Sequence, residues 1–320
     1  MDKPYVIGID LGGQTAKFGI VDARGNVLKQ TAIRSNTQNN PEEFINDLAE
    51  GIKKLIDKEY DIKDIRGIGV GAPNGNYYTG CIENAANLTW AKNQVVHFAD
   101  MLSERVGVPV ALTNDANAAA VGEMTYGAAR GMKNFIMITL GTGVGSGIVI
   151  NGDVVYGHDG FAGELGHTCA VRNNGRICGC GKTGCLETYA SAMGVARTAR
   201  EIIELTNRKT LLRNIPAENI TSKDVFDAAI EGDEVAKDIF AFTGRMLGEK
   251  FADFVAFSAP EAIILFGGLT KAGDLIYKPI VESMNLNLMP IWRNKVKVLF
   301  STLNESDAAI LGASALAWEI

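Results

Sequence analysis

The spacing of apolar residues changes along the chain, and the changes mark its elements. Residues 4–11 (PYVIGIDL) and 16–22 (AKFGIVD) are short, dense apolar runs on either side of a glycine-rich turn, the pattern of two adjoining strands. ARGN at 23–26 has hairpin-turn chemistry, and VLKQTAI returns as a third strand. From Asn40 the period lengthens. Phe44, Ile45, Leu48, Ile52, Leu55 and Ile56 fall on one face of a predicted helix, and that face is core. Asn40 is its expected N-cap, Pro41 its first residue, and Glu43 completes a capping-box pattern. IRGIGVGAP (65–73) reads as a buried strand ending in a turn, and 95–106 as a helix. VPVALTND (108–115) reads as a short strand, with ANAAAVGEM starting a helix immediately after Asp115.

The opening pattern occurs twice. Residues 6–21 read VIGIDLGGQTAKFGIV, and residues 135–150 read FIMITLGTGVGSGIVI. Each is an apolar strand, a Leu-Gly turn with small polar residues, and a Gly-Ile-Val strand. INGDVV (150–155) supplies a third strand to the second copy, as VLKQTA does to the first. The repeat predicts two related α/β halves, each opening on a β-meander. Two such lobes imply a cleft between them, a favoured place for a ligand.

Composition narrows the function classes. With 320 residues the chain can form two ordinary domains, and 47% apolar with 21% charged residues is normal for a soluble globular protein. A net charge of −6 lacks the basic field that nucleic acid or an anionic membrane would need. No apolar run approaches the roughly 20 residues of a membrane span. The start, MDKPYVIGIDLGG, enters a strand with no apolar leader, so a reducing, cytoplasmic setting is expected.

In that setting one stretch stands out. GHTCAVRNNGRICGCGKTGCLE, residues 166–187, holds His167, Cys169, Cys178, Cys180 and Cys185 in a chain with only 5 cysteines and 3 histidines. A reducing compartment disfavours disulfides, and adjacent bridges in so short a loop would be strained. No C-x-x-C redox motif is present. Soft thiolates with an imidazole suit tetrahedral Zn²⁺, and Gly179, Gly181 and Gly184 let the loop wrap an ion. Five candidates compete for four places, and chemistry alone leaves open which is spare.

The glycine-rich turns carry a second signal. Bare amides at Gly12-Gly13-Gln14-Thr15 and at Gly141-Thr142-Gly143 can point at phosphate, with the threonine hydroxyls as further donors. Asp10 can orient Mg²⁺ through water, and Lys17 completes the candidate set on the first turn. Gly267-Gly268, after the strand AIILF, would let a flat base approach the backbone. Together they suggest a nucleotide lying across the cleft. GTGVGSG (141–147) is not the dinucleotide fingerprint G-x-G-x-x-G and leads into a strand. Gly181-Lys182-Thr183 is not a P-loop, because Arg176 stands where its first glycine must be.

DLGGQTAK, NDANAAAVGE, LGTGVGSGIVINGDVVYG, GELGH and CGCGKTGCLE, in that order, resemble the ROK family of sugar kinases and sugar-responsive repressors. The resemblance covers nearly the whole chain. It implies a two-lobed hexokinase/actin-type α/β ATPase fold with a zinc-bound loop. Residues 1–115 would form the smaller lobe, joined by a C-terminal helix over 306–320. Residues 116–305 would form the larger lobe with the zinc loop and the dimer contacts. It implies ATP- and Mg²⁺-dependent phosphorylation of a hexose by a homodimer, with the 6-hydroxyl of glucose the expected acceptor. N-acetylmannosamine, N-acetylglucosamine, mannose and fructose are the alternatives.

Carried over by position, the resemblance makes Asp115 the catalytic base, although alone it would read as a helix N-cap. Glu164, His167 and Glu187 become sugar-gripping residues, with Gly75, Asn76, Asn87 and Asn114 as further sugar contacts. Zinc would be structural and held by His167, Cys178, Cys180 and Cys185, leaving Cys169 as a small buried side chain. Gln14 departs from the family's usual Gly-Gly-Thr turn, with Thr15 one place later. A repressor would need a helix-turn-helix ahead of the first strand, where only about five residues stand. A catalytically weak sugar-binding protein is the other rival, and Asp115 argues against it.

Overall fold

The computed structural model describes residues 3–57, 59–304 and 307–320, and Ser306 of the expected C-terminal helix lies outside them. The chain divides into two compact units. The first comprises Met1–Met132, Gly147–Gly163 and Ser301–Ile320, and the second Lys133–Ser146 and Glu164–Phe300.

In the first unit, β1 (Tyr5–Leu11), β2 (Thr15–Asp22) and β3 (Val27–Arg34) form the antiparallel meander that the apolar runs indicate. α1 (Pro41–Ile56) follows, and its apolar residues are all buried. Asn40 caps it by accepting from the Glu43 amide at 2.9 Å, and the Glu43 carboxylate reaches back to the Asn39 amide at 3.0 Å. β4 (Ile65–Gly71) pairs parallel with β1. The helix expected over 95–106 starts later, as α2 (Phe98–Val106). Val95–Val96 is instead β6, paired with β5 (Ile82–Glu83). β7 (Val110–Thr113) completes the sheet, in the order β3-β2-β1-β4-β7. α3 (Asp115–Tyr126) leaves directly from it.

A second five-stranded sheet repeats the plan. β8 (Phe135–Leu140), β9 (Val144–Ile150) and the two-residue β10 (Asp153–Val154) stand in the order β10-β9-β8-β11-β12. The division between the units falls within β9. β11 (Ala262–Phe266) and β12 (Lys297–Phe300) add in parallel to β8. Both sheets therefore read third-second-first-fourth-fifth, as a duplicated unit requires.

The helices of the second unit are α4 (Glu187–Ala190), α5 (Ala192–Leu205), α6 (Ser222–Ile230), α7 (Glu234–Ser258) and α8 (Asp274–Asn287). Their apolar faces join β8 and β11 in one core. α7 and α8 meet at Gly248, where an added Cβ would lie 2.5 Å from the Ile280 carbonyl. Among the described residues no helix is long and apolar enough to cross a membrane.

The last helix, α9 (Ala308–Leu316), returns to the first unit and is buried on every side. It lies on β1 and β4 at two glycines. A Cβ on Gly8 would come within 2.0 Å of the Ile310 carbonyl oxygen, and one on Gly69 within 1.9 Å of that of Ala313. Backbone sits on backbone here, and neither partner is a side chain that can rotate away. Gly69→Ala is therefore expected to destabilise the protein by at least about 1–3 kcal/mol, the usual range for overpacking. A lowered urea midpoint checks this, and an unchanged midpoint would mean that α9 shifts freely.

Candidate active site

In the first unit the candidate residues gather where the parallel strands end. Asp10 lies opposite Gly71, and Gly71 opposite Thr113, so Asn114 and Asp115 emerge beside Asp10. The carboxyl ends of parallel strands are the usual ligand edge of an α/β sheet. Asn114, not Asp115, is the N-cap of α3, accepting from the Asn117 amide at 3.0 Å. Asp115 holds the first helical position and accepts from the Ala116 amide at 2.8 Å. The capping role that Asp115 alone suggests thus belongs to its neighbour.

Solvent reaches Asp115, yet protein atoms crowd it, and the resulting desolvation raises its pKa. Asp10 is pushed up to about 6, first by burial and then by the charge of Asp115, with Lys17 opposing. Lys17 is the cross-strand partner of Asp10.

The first turn is closed by the Gly12 amide donating to the Thr15 carbonyl at 3.0 Å, and the side chains of Gln14, Thr15 and Lys17 are exposed. Ser35 braces this turn, its hydroxyl donating to the Gly12 carbonyl at 2.7 Å and its amide to that of Gln14 at 3.0 Å. The Asn36 side chain donates through Nδ2 to the carbonyls of both Gly13 and Asn87. Asn87 is thereby held against Gly13, beside the phosphate turn. Neither brace was legible in the sequence, since a serine and an asparagine after a strand carry no signal. Gly75 is buried against Thr113, where a Cβ would meet its carbonyl at 2.4 Å. The Asn76 amide nitrogen donates to Glu83 Oε1 at 2.9 Å and to the Asp159 carbonyl at 2.8 Å, and its oxygen accepts from the Tyr78 amide. That side chain holds its own turn and ties it to the loop at Asp159.

In the second unit, one ligand atom each from His167, Cys178, Cys180 and Cys185 lies within 4.8 Å of the others. Cys180 Sγ is 3.7 Å from Cys185 Sγ, and Cys178 Sγ is 3.7 Å from His167 Nδ1. A tetrahedron with Zn–S bonds of about 2.3 Å has edges of about 3.8 Å, close to both of these separations, and the donors have the right chemistry. Without a cation, burial and the neighbouring thiols push Cys185 up to about 12. A divalent cation is what would let three thiolates share so small a volume. Cys169 is outside the cluster and exposed, not buried as expected. It pairs across the loop with Cys185 in an isolated antiparallel bridge.

The loop is fastened by Arg176, which sequence reading noticed only as a mismatch. Its guanidinium is buried, donates to the Thr188 carbonyl at 2.7 Å and to Thr198 Oγ1 at 2.9 Å, pairs with Glu201, and lies 4.5 Å from the centre of the Tyr189 ring. His167 turns Nδ1 toward Cys178 and Nε2 toward Glu164, whose carboxylate is 3.9 Å away.

Glu187 opens α4 and connects two parts of the site. Its Oε2 accepts from the Val144 amide at 3.0 Å, and its Oε1 is 3.7 Å from Cys178 Sγ. A Cβ on Gly143 would lie 2.4 Å from Oε2, so glycine is what allows the carboxylate to reach the turn. The turn itself is closed by the Gly141 amide on the Gly143 carbonyl at 3.1 Å and leaves Thr142 exposed. Gly141 and Thr142 border a cavity of about 530 Å³ floored by Phe226, Phe240, Leu269 and Ala272. Gly268 lines it. Gly267 does not, and packs on Leu140 with φ 107°, where a Cβ would be 2.6 Å from the carbonyl oxygen. The wall contributed by α6, from Ser222 to Asp227, had no sequence signal. An apolar slot bordered by a bare-amide turn suits a planar base with a phosphate tail.

Residues 6–320 match the ROK family, and the chain belongs to it. It is 37% identical over 315 residues to a glucokinase of Halalkalibacterium halodurans, covering 98% of this chain and 94% of that one. It is 35% identical to a glucokinase of Thermotoga maritima, covering 99% and 98%. Among solved structures, a ROK family glucokinase from Streptomyces griseus in complex with glucose and AMPPNP superposes with a TM-score of 0.81 at 33% identity, covering 99% of this chain and 100% of that one.

The pKa of Asp10 yields a test. A carboxyl raised to about 6 from an ordinary 3.8 binds its proton more tightly in the folded state than in the unfolded chain. Its contribution to stability therefore falls as pH rises through that window and stays low above it. Asp10→Asn should stabilise the protein by about 1–2 kcal/mol at neutral pH, allowing for solvent screening, and make little difference below about pH 4. Urea titrations at the two pH values check this, and equal effects at both would contradict it.

Proposed function

We propose that the protein is an ATP-dependent kinase that transfers the γ-phosphoryl group of ATP to the 6-hydroxyl of glucose. The observation that carries this is Asp115, a solvent-reached carboxylate at the end of a parallel strand with its pKa raised by desolvation. Likeness over the full chain to glucokinases supports glucose over other hexoses.

In this reading Asp115 accepts the proton of the attacking hydroxyl, while Asn114 and the Gly75 turn position the sugar. Glu164, His167 Nε2 and Glu187 bind the remaining hydroxyls, since carboxylate and imidazole can accept from or donate to a polyol. The base of ATP lies in the apolar slot beside Gly268, and the bare amides of each glycine turn are donors suited to phosphate. Asp10 would hold Mg²⁺ through water, and the ion would neutralise charge on the transferring phosphate. His167, Cys178, Cys180 and Cys185 would hold Zn²⁺, which with four protein ligands has no open position and is structural. The thiolate ligands require a reducing compartment, which supports the cytoplasm. We further propose a homodimer, as the family resemblance implies, working at the entry of glucose into glycolysis.

Asp115→Asn should lower kcat by about 10²–10⁴-fold, the usual cost of a general base, while glucose affinity changes little. Turnover within about threefold of wild type would show that Asp115 is not the base. In the wild type the acid limb of kcat/KM should lie above the ordinary carboxylate value of 3.8. Activity should fall as pH drops through the raised pKa, because the base must be ionised to accept a proton.

Cys185→Ser should lose the metal and raise KM for glucose. Because Glu187 also bonds the Val144 amide, KM for ATP should rise too, by a smaller factor. Elemental analysis with steady-state kinetics checks this, and a metal-free variant with normal KM for glucose would contradict it.

A further inference from the structure

Cys169 has no place in the proposed chemistry, yet it is the only exposed thiol outside the metal set among the described cysteines. Its cross-strand partner is Cys185, which is fully buried and one of the four ligands. The pairing has a definite form. The Ala170 amide donates to the Gly184 carbonyl at 2.7 Å, and the Leu186 amide to the Thr168 carbonyl at 3.0 Å. Those two bonds flank the pair, so Cys169 and Cys185 face each other at a non-hydrogen-bonded antiparallel position. Such positions bring Cα atoms to about 4.5 Å with side chains on one face. Disulfides span Cα separations of about 4.4–6.8 Å, so this backbone can accept one.

We propose that Cys169 is a peroxide-responsive thiol that captures Cys185 and expels the metal, a reversible off-switch resting on the zinc reading of the loop. The oxidant is hydrogen peroxide. The Cys169 sulfur attacks one peroxide oxygen, the O–O bond breaks, and the thiol proton leaves with the released oxygen as water. Cys169 is then a sulfenic acid. The Cys185 sulfur, bound to the metal as a thiolate, attacks the Cys169 sulfur. The S–S bond forms, the S–OH bond breaks, and the hydroxide takes a solvent proton. Two thiols have lost two electrons, and the peroxide has gained them. Cys185 can no longer donate an anionic sulfur, and three remaining ligands do not close a structural site. Glu187, two residues on, loses the anchor that holds it to the Val144 turn. A dithiol reductant with added zinc restores the loop.

The test uses the full-length, metal-loaded protein treated with hydrogen peroxide. Zinc release is followed with a chromogenic chelator, glucose phosphorylation by ADP formation, and disulfides by peptide mapping. The wild type should release one equivalent of zinc, lose activity, and yield a Cys169–Cys185 cross-linked peptide; reductant and zinc should restore it. Cys169→Ser should start with the same activity and keep both zinc and activity under that treatment. Cys169→Ala gives a second reading should the serine variant fold poorly. Zinc release at the wild-type rate from the Cys169 variants, or cross-links only among Cys178, Cys180 and Cys185, would overturn the proposal. Protein without zinc before treatment would refute the metal reading instead, and peptide mapping would still decide whether Cys169 captures Cys185.

Discussion

The candidate site of the second unit depends on the convergence of four soft donors on one small volume. An imidazole and three sulfurs lie within 4.8 Å of one another, and two of their separations, both 3.7 Å, are close to the edge of a tetrahedron around zinc. A loop with Gly179, Gly181 and Gly184 has little conformational preference of its own and loses much entropy on ordering. Such a loop needs an external fastening. Arg176 supplies one from within the protein, anchoring the loop to α4 and α5. A metal would supply the other, and would also settle the charge of Cys185, whose thiol pKa is pushed up by burial and by the neighbouring thiols. The consequence reaches past the loop, because Glu187 lies two residues beyond Cys185 and bonds the Val144 amide. One carboxylate thus connects the sulfur cluster to the glycine turn beside the apolar slot.

Close backbone approach recurs wherever position matters in this molecule. Glu187 reaches its turn because Gly143 has no side chain. Gly267 lets the chain after β11 rest on Leu140. α9 lies directly on β1 and β4 at Gly8 and Gly69, and crosses α3 at Gly122 and Gly312. α3 begins with Asp115, so the packing of α9 on α3 and on β4 also fixes where the candidate base stands. A rigid support for a reacting group lowers the entropic cost of holding it in place.

Much of the fold was legible in the sequence because it depends on local periodicity. The meander, the Asn40 cap and the repeat at 135–150 follow from spacing and turn chemistry. The two sheets share one strand order, as the repeat implies. What the sequence concealed depends on contacts distant along the chain. Val95 and Val96 fit a helical pattern but pair with β5, thirteen residues away, because β-branched residues suit a ladder better than a helix end. Asn114 and Asp115 are both good caps, and only the backbone at the end of β7 decides that Asn114 serves. The Asn36 brace and the α6 wall of the slot come from elements far from the motifs they complete. Cys169 looked like a fifth candidate ligand, and only the register of the loop shows it to be exposed and opposite Cys185.

If His167, Cys178, Cys180 and Cys185 close around a single zinc ion, that ion shapes the loop that carries Glu187. X-ray absorption at the zinc edge on purified protein tests it most directly. The expected result is one zinc per chain with three sulfurs at about 2.3 Å and one nitrogen at about 2.0–2.1 Å. A shell dominated by oxygen, or one with fewer than three sulfurs, would contradict it.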